Sequence, residues 1–103
     1  MLTFKDKVFN LVQIALITVD EKEQVFVSRL ISSLTKSYPM YSDTETIVKD
    51  RYSKSNAKKE FDKIRLALLK LNDMSESMSE AECMANQGFA TKYNKLEAEV
   101  YGT

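Results

Sequence analysis

The chain contains no histidine, two glycines, one proline and one cysteine in its 103 residues. Each scarcity removes a class of chemistry. Histidine is the commonest general base near neutral pH and the commonest metal ligand, so neither role has its usual candidate. A Ser-His-Asp set cannot be assembled, and Cys83 has no imidazole to activate it. Metal sites of the Cys/His spacing are excluded for the same reason. Glycine stands only at 88 and 102, which leaves no phosphate-binding loop. One cysteine forbids an intramolecular disulfide and argues against a small secreted scaffold. Sheet proteins usually need more Gly and Pro at their turns. Few connections and an all-α fold are therefore expected.

What is present is an ordinary globular composition. Apolar residues are 44% and charged residues 29%, which argues against disorder. The length fits one domain, residues 1–103, with a core limited by its size. Fifteen basic and fifteen acidic groups balance, which makes nucleic acid an improbable partner. The charge is uneven along the chain. Residues 1–45 carry five basic and six acidic groups, residues 46–71 eight and three, and residues 72–103 two and six. The basic and acidic segments can neutralise each other in an antiparallel bundle, or support head-to-tail self-association. Lys5 and Lys7 before the apolar run Val8 to Val19 imitate a signal or anchor. Asn10 and Gln13 interrupt that run, and Asp20, Glu21 and Glu23 stand where a cleavage site would be. The run also falls short of the ~20 residues that span a bilayer. A cytoplasmic protein without membrane association is expected.

The clearest periodicity lies in Ala57 to Leu71. Ala57, Phe61, Ile64, Leu68 and Leu71 fall on one stripe, spaced as a 3.6-residue helix requires. Its back carries Lys59, Lys63, Leu66 and Lys70, either a solvated face with one exposed leucine or a contact surface for an acidic partner. Thr3 and Asp6 form a capping-box pattern before a helix at 4–18, whose face is Phe4, Val8, Leu11, Val12, Ala15 and Val19. Asp20 with Glu23 has the same spacing and opens a helix at 21–37, unless the chain continues as one kinked helix. Its apolar face is Phe26, Val27, Leu30, Ile31, Leu34 and Tyr38. Pro39 ends it. Tyr38, Met40 and Tyr41 around that proline form either a loop folded over the core or a recognition surface.

Ser42 with Glu45 allows a short helix at 44–52, with Ile47, Val48 and Tyr52 inward, and Ser55 or Asn56 can cap the next start. That helix, 56–72, is expected to end in a connection over Asn72 to Ser79, where Ser77–Glu80 and Ser79–Glu82 have box spacing. The last helix, 80–99, presents Ala85, Phe89, Tyr93, Leu96 and Val100 inward. Ala81, Ala85 and Gly88 would permit close approach of a neighbour. Gly102 stands where a helix stop is expected. The expected architecture is a small antiparallel bundle of four main helices, 4–18, 21–37, 56–72 and 80–99.

No residue set points to an enzyme, a metal or a cofactor. Wheel geometry places Cys83 off the inner face of the last helix, as an inert and partly exposed thiol. The carboxylates lie near helix ends, where the helix dipole accounts for them. Two functional readings remain. The first is a non-enzymatic protein-binding module, of the inhibitor, immunity or adaptor kind, that also self-associates as a homodimer. Its surface would be Phe9, Ile14, Leu16 and Ile17, with Tyr38, Met40, Tyr41 and Leu66, apolar residues a simple bundle leaves uncovered. The second is a binder of a small anion, nucleotide or nucleic acid through Arg51, Lys54, Lys58 and Lys59 at a helix junction. That junction reads more readily as a solvated connection.

Overall fold

A computed structural model describes residues 1–40 and 43–102 of the chain. It is all-α: five helices follow one another, with no strand among the described residues. These are α1 (Phe4–Ser37), α2 (Thr44–Ser53), α3 (Asn56–Ser77), α4 (Glu80–Ala85) and α5 (Gln87–Tyr101). The chain divides into two compact units, Met1–Thr18 with Arg65–Thr103, and Val19–Ile64.

α1 begins where the Thr3–Asp6 pattern places it. The Asp6 N–H donates to Thr3 Oγ1 at 3.1 Å, and the Thr3 N–H donates back to the Asp6 carboxylate at 3.2 Å. These bonds, the Thr3 hydroxyl's foremost, hold the Asp6 carboxyl below its ordinary value. The start expected at Asp20 does not form, and the helices expected at 4–18 and 21–37 are one helix of 34 residues. A cap at Asp20 would require the backbone to leave helical geometry beside Val19, which is buried. No Gly or Pro assists that departure. The Thr18 hydroxyl donates to the Ile14 carbonyl at 3.1 Å, a bond that belongs to helix interior. Propagation of an existing helix is cheap, and it prevails. α1 ends at Ser37, two residues before Pro39, with the Tyr38 N–H donating to the Leu34 carbonyl at 2.8 Å.

In the first unit, α1 buries Val8, Leu11, Val12 and Ala15, the face read from its periodicity. Facing contributions come from Leu68 and Leu71 of α3, Cys83 of α4, and Phe89 and Tyr93 of α5. The Phe4 ring lies 6.0 Å from Phe89 and 5.7 Å from Tyr93, and those two stack at 5.8 Å. The expected connection over Asn72 to Ser79 is shorter than that, because α3 runs on to Ser77. The Ser75 and Ser77 hydroxyls donate to the carbonyls of Asn72 and Asp73, at 2.7 and 3.1 Å, and so continue the helix in place of capping a new one. Of the two boxes there, Ser79–Glu82 is the one that forms, with the Glu82 N–H donating to Ser79 Oγ at 3.2 Å.

The last helix is two helices. Asn86 adopts an extended conformation, ends α4 through its N–H to the Cys83 carbonyl, and caps α5 by accepting from the Phe89 N–H at 3.1 Å. The break re-phases everything before it. Cys83, expected to be partly exposed, is buried, and Ala85, expected inward, is exposed. Ala81 and Gly88 are exposed as well. The nearest atom to a Cβ added at Gly88 is the Asn86 side-chain oxygen at 3.4 Å, so no neighbouring helix approaches there. Gly102 stops α5 with φ of 41°, its N–H donating to the Ala98 carbonyl. That left-handed conformation suits glycine.

In the second unit, Val19 and Leu34 of α1 are buried with Val48 and Tyr52 of α2. Tyr52 packs on Phe26, at 5.9 Å between centroids, and Phe26 on Phe61 at 6.2 Å. The Tyr52 hydroxyl donates to Glu23 at 2.5 Å, which ties α2 to α1. The helix at 44–52 therefore forms, capped by Asp43, which accepts from the Thr46 N–H at 3.3 Å. Ser42 and Tyr41, singled out in the sequence, lie outside the described residues.

Ile64 corrects the α3 stripe. It shares the phase of Leu68 and Leu71, yet it is 46% exposed. Periodicity reports the direction of a side chain, not how far along its axis a helix is covered. Truncation of Leu68 to Ala should cost ~2–5 kcal/mol, measured by urea unfolding, because it opens a cavity in a buried site. Ile64→Ala should cost less than ~1 kcal/mol. Equal losses at the two positions would refute the burial difference.

Candidate functional site

The apolar surface read from the sequence is distributed over both units. In the first, Ile14 and Ile17 stand three residues apart on α1 and share a face, 42% and 58% exposed. Phe9 is exposed too, but it is turned by about 140° from Ile14 around the helix. Leu16 is half-buried, partly covered by its own unit. On α3, Leu66 is 59% exposed and has an exposed neighbour three residues on, Leu69 at 45%. Leu69 was not singled out in the sequence. In the second unit, Tyr38 and Met40 are exposed beside Pro39, so neither of these two side chains folds down over the core.

The basic junction is tighter than its sequence suggests. Two residues, Lys54 and Ser55, separate α2 from α3. The Ser55 N–H and hydroxyl both donate to the Tyr52 carbonyl, at 3.0 and 2.8 Å. Ser55 thus closes the end of α2 and does not cap α3. Lys54, just past the end of α2, pairs with Asp50 at 3.1 Å, and Lys58 pairs with Asp62 of its own helix at 3.2 Å. Arg51 and Lys59 are exposed. Such exposed pairs contribute ~0.3–0.5 kcal/mol each and orient the lysines toward carboxylates.

Besides the exposed Asp6, the titratable groups with clear shifts are buried ones. Burial pushes the Cys83 thiol up, and the neighbouring Glu82 charge adds to it. Its S–H donates to the Met74 carbonyl at 3.5 Å. It is therefore a core residue held as a thiol, not a nucleophile. Burial, then the Asp62 charge, raises Tyr52. Burial raises Tyr93, reinforced by Glu97, Glu80 and Tyr101 in that order. Among the described residues no three Cys, Asp or Glu side chains converge as a metal would need. No helix of the described residues is long and apolar enough to cross a membrane.

One concave feature lies wholly in the first unit. The start of α1, α4 and α5 enclose a cleft of about 450 Å³, lined by Leu2, Lys7, Leu11, Glu80, Met84, Tyr93, Asn94, Glu97 and Tyr101. Sequence reasoning placed Tyr93 in the core and explained Glu80 and Glu97 by helix ends. Those glutamates stand seventeen positions apart in the chain. No local spacing signals that they share a cleft. No family model, curated protein or solved structure matches the chain.

The raised values have a stability consequence with a definite sign. The native state keeps protons on Cys83, Tyr52 and Tyr93 where the unfolded chain releases them, above ordinary values of 9.0 and 10.0. Their contribution is complete below the unfolded values and is lost as pH rises through the folded ones. The urea midpoint should therefore be lower at about pH 10.5 than at about pH 8. An unchanged midpoint would count against the burial of all three groups.

Proposed function

We propose that the protein is a non-enzymatic, cytoplasmic protein-binding module that also associates with itself as a homodimer. The observation that supports this most is the pair of aliphatic doublets in the first unit, Ile14 with Ile17 and Leu66 with Leu69, all about half exposed. A single exposed leucine is ordinary on a monomer. Doublets at three-residue spacing present adjoining branched side chains, the form in which a helix face docks on another protein. A two-fold partner would cover the same face on each copy. Lys70, exposed in the same unit as Leu66, favours an acidic group on a heterologous partner.

The alternative, an anion or nucleic-acid binder, has less to support it. Lys54 and Lys58 already face Asp50 and Asp62, which leaves Arg51 and Lys59 as the candidates for phosphate contact. A binder that neutralises several phosphates would show steep salt dependence.

Light scattering after size exclusion tests the homodimer. Twice the chain mass of 11.8 kDa is expected. A single-chain mass over a wide concentration range would remove it. Ile17→Glu should dissociate the dimer and leave the monomer folded, since this side chain is exposed. Lys36→Glu, also exposed, should leave the dimer intact. Unfolding by Ile17→Glu would instead place Ile17 in the core.

A further inference from the structure

We infer that the cleft between the start of α1, α4 and α5 binds an organic cation, an ammonium or guanidinium group carried on an aliphatic stem. This goes beyond the protein-binding reading and does not depend on it. The inference starts from Tyr93. Its side chain is 7% exposed, held by the stacked Phe89 ring and by Phe4. Its hydroxyl makes no hydrogen bond among the described residues. The oxygen sealed from solvent without a partner is Asn72 Oδ1, not this hydroxyl, which opens into the cleft. A hydroxyl that faces the cleft without a protein partner is open to a hydrogen bond from a ligand.

The surroundings say which ligand. Glu97 and Glu80 line the same cleft as Tyr93. Among the described residues neither forms an ion pair or a side-chain hydrogen bond. Three oxygen groups thus gather at one place, two of them acceptors only, and call for a donor of several N–H bonds. The Tyr101 ring adds an aromatic face, which attracts a cation at about 6 Å. Leu2, Leu11 and Met84 supply an apolar part of the lining that suits methylenes, beside the polar Asn94. Lys7 is the lining's single cation, so the cleft carries a net −1, and an anion of the same shape is disfavoured. A bare metal ion has no use for an apolar wall and finds no cluster of three ligating groups here. The ammonium group can come from a free alkylamine or from a lysine of another protein.

The test is titration of the full 15N-labelled chain with n-butylammonium chloride, followed by amide shifts, with sodium butyrate as the anion of similar shape. Saturable shifts around residues 80–84, 93–97 and 7–11 are expected, with a Kd on the order of millimolar. Butyrate should give none. Glu97→Gln, at an exposed position, should weaken binding by about tenfold. Tyr93→Phe keeps the ring stacking and should weaken it by about threefold or more. Unchanged dispersion of the remaining amides verifies that each variant is folded. A parallel titration with N-acetyl-lysine N-methylamide separates the sources: tighter binding than butylammonium indicates a protein lysine, and weaker binding a free amine. No saturation, an equal response to butyrate, or unchanged affinity in both variants would overturn the inference.

Discussion

Burial of the α1 face is the constraint on which the first unit depends. Val8, Leu11, Val12 and Ala15 are all nearly inaccessible to water. Each large side chain buried there contributes ~1.5–3 kcal/mol, which α1 cannot obtain by itself. The cover is supplied from the far end of the chain, by Leu68, Leu71, Cys83, Phe89 and Tyr93. The aromatic trio Phe4, Phe89 and Tyr93 extends this packing to the N-terminal end of α1. The break at Asn86 serves the same requirement. It lets α4 turn Cys83 inward while α5 turns Phe89 and Tyr93 inward, which one straight helix cannot do.

The second unit is built on fewer large side chains and one specific bond. Phe26, Tyr52 and Phe61 form an aromatic chain across α1, α2 and α3. The Tyr52 hydroxyl, placed by that packing, reaches Glu23 of α1. A charged acceptor makes such a bond stronger than a neutral one. The Asp20–Glu23 pair that resembles a helix start therefore has a different use for Glu23: it is a mid-helix acceptor for a tyrosine 29 residues away.

What the chain lacks made legible which catalytic sets it cannot assemble. Absent histidine and glycine loops removed the common catalytic sets before any coordinate was considered. The exposed residues Ile14, Ile17 and Leu66 were also legible, because each falls outside the apolar stripe of its own helix. The basic junction was misleading in detail. Its cations lie near one another in sequence, but the i,i+4 carboxylates Asp50 and Asp62 already neutralise two of them. The cleft at Tyr93 was not legible at all, since its three oxygen groups come from α4 and α5 and its apolar wall largely from the start of α1.

The sequence by itself determined the helical class, the inward phase of α1 and of Leu68 and Leu71, and the caps at Thr3 and Gly102. These follow from interactions within about one helical turn, which a residue pattern encodes directly. Tertiary structure alone decided that Asp20 does not start a helix, that Cys83 is buried and that Ile64 is not. Local rules there offer near-equal alternatives of about 1 kcal/mol. Burial against residues distant in the chain is worth more than that, and it makes the choice.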